Sequence, residues 1–189
     1  MQEQASLKKL LFVLAIIATI TAASTYFILT QTAPKVTGLA AGTATVSVNP
    51  VVSLSIQQAT VDFGSLVRGR ANNTTDNFPS PFQVRNDGNI NIDITVSASS
   101  FLFTGSGAGN NTNKFRFMAG NVSGEPDAFN WGGSATALTN FTDTNQNVIS
   151  SLEYNDTEDD AEVEIAIQVP SDETSGNKTA DIVFIASQS

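Results

Sequence analysis

Seven carboxylates fall within twelve residues of this chain, at Glu153, Asp156, Glu158, Asp159, Asp160, Glu162 and Glu164. Clustered carboxylate oxygens suit a hard cation such as calcium, which takes about six to eight oxygen ligands. The run lacks EF-hand spacing, and DTNQNV from Asp143 has no glycine where such a loop must turn. Glu162 and Glu164 also alternate with apolar residues, the pattern of a strand's solvent face. A solvated acidic segment is therefore the expectation, with no metal ligand assigned. Paired carboxylates could flank a glycosidic bond, but nothing sets two of them across a cleft, and Trp131 is the single tryptophan available for stacking on a sugar. With no histidine and no cysteine, the chain has no imidazole base, no thiolate nucleophile and no nitrogen or sulfur ligand for zinc. No catalytic residue and no cofactor is expected, and the chain does not read as an enzyme.

Two other groups of residues could carry covalent chemistry. N-x-S/T acceptors for glycosylation begin at Asn72, Asn73, Asn110, Asn121, Asn140, Asn155 and Asn177, mostly in segments rich in turn-forming residues. Lys114 or Lys178 could form an isopeptide bond with an asparagine beside a carboxylate, though the spacing places no third group. Eighteen acids stand against nine bases, for a net charge of −9. Phosphate neutralisation needs a basic patch, so nucleic acid is not an expected partner.

The elements that must position these residues begin with an apolar run. Lys8 and Lys9 precede an uncharged stretch from Leu10 to Thr30, which as a helix would be ~31 Å long, about the thickness of a bilayer core. A secretory signal reads equally well, with Leu10–Ile20 as its apolar region and Thr21-Ala22-Ala23 as small residues for cleavage after residue 23. Either way residues 1–30 are a signal peptide or a membrane anchor. The basic flank predicts that the remainder lies outside the cytoplasm, with membrane contact only through 10–30 if the segment is retained. Residues 31–42, QTAPKVTGLAAG, read as a flexible linker.

From residue 43 to 189 the period is two. Ile90, Ile92, Ile94 and Val96 alternate with polar residues, as do Val163, Ile165, Ile167 and Val169. Further strands are predicted at 43–57, 61–63, 82–85, 101–103, 115–118, 148–154 and 179–186. Asp87-Gly88 between two alternating runs is a strong hairpin signal, and Ser171–Asn177 reads as a second hairpin turn. No sustained helical stripe follows residue 30. The expected fold is all-β: an antiparallel β-sandwich of Ig-like or jelly-roll type, preceded by one N-terminal hydrophobic helix.

The order Gly42-Thr43, then Phe63-Gly64-Ser65-Leu66 with Gly69, then Phe82 through Val96 with Asn86, Gly88 and Asn89 resembles TasA/camelysin-like secreted filament proteins and the related archaeal bundling pilins. Arg68 stands where that pattern has proline, and the C-terminal half carries no motif of the family. The resemblance implies a filament or pilus subunit that assembles as a homopolymer by donor-strand complementation. The physical basis is independent of it: a strand after a flexible linker can pair with an open sheet edge in another chain. Residues 43–56 fit that role, with Val46, Val48, Val52, Leu54 and Ile56 as the side chains filling the partner's pockets. Pairing of the same strand within its own chain is the simpler alternative. The competing function is a monomeric, membrane-anchored surface module that binds glycan or protein.

Overall fold

A computed structural model describes residues 8, 11–21, 43–155 and 157–189 of the 189-residue chain. The proposed cleavage site after residue 23, the linker 31–42 and Asp156 lie outside the described residues. The chain divides into two compact units, Met1–Ser47 and Val48–Ser189.

In the first unit residues 11–21 form a helix, α1. Its large apolar residues, from Leu11 to Ile20, are exposed. Two threonines are accommodated because their hydroxyls bond back along the helix, Thr19 to Ile16 C=O (2.8 Å) and Thr21 to Ala18 C=O (3.0 Å). Among the described residues, no helix is long and apolar enough to cross a membrane.

The described residues of the second unit form nine strands: β1 (Leu54–Gln58), β2 (Ala71–Asn73), β3 (Phe82–Asn86), β4 (Ile92–Ala98), β5 (Phe115–Asn121), β6 (Thr139–Asn140), β7 (Gln146–Leu152), β8 (Asp160–Gln168) and β9 (Ile182–Gln188). Pairing throughout is antiparallel. One sheet runs β1-β3-β8-β5-β6 with β2 also paired to β8, and the other runs β7-β4-β9. The all-β expectation holds at this level.

One buried cluster draws on both sheets. Ile92, Ile94 and Val96 of β4 are fully buried, and so are Val84, Phe117, Val148, Ile149, Leu152 and Val163. Phe141, from the loop after β6, packs against Phe115 and Phe117 at centroid distances of 4.4 and 4.8 Å. The strands with the strictest alternation are those with one face in this cluster, which is why their positions are readable from sequence.

Both predicted hairpins are corrected by the structure. β3 and β4 belong to different sheets, so Asp87-Gly88 carries the chain across the core instead of reversing it within one sheet. The buried Asn86 side chain makes that bend: its Nδ2 donates to Ile90 C=O (2.9 Å) and Leu152 C=O (3.1 Å), and its Oδ1 accepts from Gly88 N–H (3.0 Å). Leaving those groups unpaired would cost about 1–3 kcal/mol each. The turn's outward donors go elsewhere, Asp87 N–H to Ser53 C=O and Asn89 N–H to Val51 C=O, both at 3.1 Å. The segment 171–177 likewise links β8 in one sheet to β9 in the other.

Two predicted strands are absent, and the strand predicted over 43–57 begins only at Leu54. Residues 61–63 and 101–103 are irregular, and the segment 43–53 carries no strand. Two short strands, β2 and β6, have no alternation to announce them, being three and two residues long.

Candidate functional site

The five apolar residues assigned to strand exchange separate into two groups. Leu54 and Ile56 lie in β1, in register with Asn86 and Val84 of the same chain. Val46 and Val48 lie outside any strand and are 86% and 75% exposed, while Val52, ahead of β1, is also exposed. The segment Thr43–Asn49 has no charged residue and places Ala44, Val46 and Val48 at alternate positions.

The strand edges of the two sheets differ in how they are protected. β6 is two residues long. β1 carries a register shift between Ile56 and Gln58. β7 is covered, because Asn130 N–H donates to Ser150 C=O (2.9 Å), Ala135 N–H to Val148 C=O (3.0 Å) and Glu153 N–H to Ala128 C=O (2.8 Å). Bulges, short strands and covering loops are the ordinary ways of closing an edge to other chains.

β9 has none of these. Among the described residues it pairs with β4 alone, over seven consecutive residues without a register shift, from Ile92↔Gln188 to Ala98↔Ile182. Ser99 N–H bonds to Asp181 C=O and Ser189 N–H to Asn91 C=O, which makes the odd-numbered residues of β9 the hydrogen-bonded partners of β4. The N–H and C=O groups of Ile182, Phe184, Ala186 and Gln188 therefore point to the open side, where no described residue pairs with them. Val183 and Ile185 on the outer face are 42% and 44% exposed, and β9 contains neither charge nor proline.

Three residues before β9, Thr179 lines a groove of about 1060 Å³. Its apolar lining includes Phe63, Leu66, Leu102, Phe103, Ile167 and Val169. A carboxylate clamp, Glu173 with Lys178, also lines it. Glu173 is 3% exposed and accepts Thr104 N–H (2.8 Å) and Gly105 N–H (2.7 Å), with Lys178 Nζ at 2.6 Å. Lys178, with help from those N–H groups, holds the Glu173 carboxyl down at about 2 against the opposing effect of burial. Lys178 is thus engaged in an ion pair, and Lys114 Nζ is bonded to Gln168 Oε1 (2.7 Å). Neither contact sets a lysine beside an asparagine for an isopeptide bond.

The acidic run is divided among several partners. Arg85 grips Asp160 with Nε to Oδ1 at 2.8 Å and Nη2 to Oδ2 at 2.6 Å, and its Nε is 3.7 Å from Asp159. Carboxylate oxygens of Glu125, Asp159 and Asp160 converge within 4.8 Å, and Arg85 supplies the positive charge beside them. Glu153 and Glu158 both accept from Asn155 Nδ2. Glu162 and Glu164 lie on the face of β8 away from the apolar core, but Glu164 is buried and Glu162 half-buried, so this is not the solvent face the alternation predicts. Burial, then the neighbouring Glu164, pushes Glu162 up to about 7. Burial also raises Glu164, while a hydrogen bond from the buried Thr74 hydroxyl works against the rise.

These shifts set an unusual pH dependence. A carboxyl raised in the folded state adds stability that is complete below its unfolded value of 4.5 and fades as pH rises through about 7. The depressed Glu173 adds stability that is complete above 4.5 and fades as pH falls toward about 2. Thermal unfolding followed by circular dichroism should show greatest stability near pH 4.5, declining toward pH 8, and Glu162→Gln should flatten the alkaline side. A midpoint that rises from about pH 5 to 8 would contradict the assignment.

Among the glycosylation acceptors, Asn73, Asn110, Asn121, Asn155 and Asn177 are exposed, while Asn72 and Asn140 are half-buried. The Asn72 acceptor depends on Thr74, which is fully buried and bonded to Glu164. Asn140 Nδ2 reaches Asn111 Oδ1 (3.3 Å). Trp131 is 49% exposed and stacks on Phe129 at 5.7 Å. Sequence reasoning misses the β9 edge because an unpaired edge is a property of the neighbours a strand lacks. The chain matches no protein-family model and no curated protein.

Proposed function

We propose that this chain is an exported structural subunit that polymerises by strand addition, residues 43–49 of one copy pairing along β9 of the next. The observation that carries the reading is the edge of β9, seven residues long, without a bulge or charge and with no described residue paired along it. An antiparallel strand on that edge turns Ala44, Val46 and Val48 to the same face as Ile182, Phe184 and Ala186, which pack on the core. The donor narrows to the residues ahead of Pro50, since Leu54 and Ile56 are already in register with β3. The two sheets on one core then form an Ig-like β-sandwich completed by the neighbour's strand, and head-to-tail addition of this type does not close, so a fibre is the product.

The apolar α1 belongs to an export signal removed before assembly. The exposed acceptor asparagines are candidates for glycosylation at the cell surface. Intact mass and electron microscopy of the purified native protein test the reading together: filaments built from a chain lacking residues 1–23 are expected. A monomer that retains α1 would overturn it and favour the membrane-anchored binding module.

A further inference from the structure

Pro50 interrupts the pairing ahead of β1, because it has no N–H and its ring fixes φ. Asn89 spans the break. Its main-chain N–H donates to Val51 C=O (3.1 Å), its Oδ1 accepts Val51 N–H (2.7 Å), and its Nδ2 donates to Asn49 C=O (3.0 Å). The side-chain amide thus acts as a peptide unit, satisfying one donor and one acceptor on either side of the proline. Gly88 brings the turn so near that a Cβ at that position would stand 2.3 Å from Val51 O. Asn89, Ile90 and Tyr154 line a pocket of about 340 Å³ together with Val48, Asn49 and Pro50.

We propose that Asn89 is a positioning residue for assembly: it pins Asn49 and Val51 to the body, so that residues 43–48 leave from a fixed root and dock with less of their freedom still to lose. The inference rests on the strand-addition reading. Ordering a segment opposes its docking, so a fixed root favours the donor without altering the acceptor edge.

The test uses the processed chain lacking residues 1–23 with Asn89→Ala, and a non-donating processed chain carrying Val46→Asp and Val48→Asp, with and without Asn89→Ala. Removing the two side-chain bonds should slow assembly by light scattering roughly tenfold and accelerate hydrogen exchange at the Val51 amide. Asn89→Asp, which can still accept from Val51, should fall between. The non-donating chains should bind a labelled synthetic Thr43–Asn49 peptide equally. Assembly at the parent rate despite faster exchange at Val51 overturns the inference, and so does loss of peptide binding on Asn89→Ala, which would put the effect in the acceptor. A peptide that fails to bind even the non-donating parent overturns the strand-addition reading and this inference with it.

Discussion

If subunits join by strand addition, a chain carrying Val46→Asp and Val48→Asp is expected to fold as the parent does and to remain monomeric at concentrations where the parent polymerises. Both valines are exposed in the isolated subunit, so the substitutions remove no core packing. Buried against a neighbour's β9, as strand addition requires, each valine would contribute about 1.5–3 kcal/mol. A carboxylate in its place must instead be desolvated against Phe184 and Ile182 or exclude itself from the edge. The combined loss exceeds about 3 kcal/mol, more than a hundredfold in subunit affinity. Sedimentation velocity and negative-stain microscopy read the outcome. Filaments at the parent's yield would remove residues 43–49 from the interface, and a drop in monomer Tm would instead place these valines in the subunit's own core.

Ala186→Pro addresses the other side of the same contact. The β4–β9 register directs the Ala186 N–H away from β4, so proline deletes no bond of the existing ladder. Proline is tolerated on an edge when the missing N–H faces solvent. The unfolding midpoint should shift little, while binding of the Thr43–Asn49 peptide and self-assembly should both be lost, because an arriving strand meets a ring where it needs a donor. If the proline variant binds peptide as the parent does, β9 is not the acceptor. Loss of the monomer fold would show that Ala186 N–H serves β4, contrary to the register.

Legibility in this chain varies with burial. Ile92, Ile94 and Val96 announce β4, and Val163, Ile165 and Ile167 announce β8, because each strand has one face in the core and side chains alternate with a period of two. The resemblance to filament proteins rests partly on Asn86, Gly88 and Asn89. In the structure these three act separately. Asn86 ties the bend to Leu152, Gly88 permits the close approach of Val51, and Asn89 bridges Pro50. The same residues invite a hairpin reading, since Asp-Gly signals a reversal without indicating which sheet the chain enters next. The acidic run is equally open to two readings. Its density suggests a cation site, and only the fold brings Arg85 of β3 against Asp160 of β8, from 75 residues away in sequence.

Composition and local period suffice for the all-β character, the missing imidazole and thiol chemistry, the apolar N-terminal run and the alternation ahead of Pro50, because these depend on residue types and near neighbours alone. Folding in three dimensions settles that β1 pairs with β3, that the Asp87-Gly88 turn crosses between sheets, and that β9 has one neighbour among the described residues. Strand pairing is set by packing against residues distant in the chain, and an edge exists only where such a partner is missing.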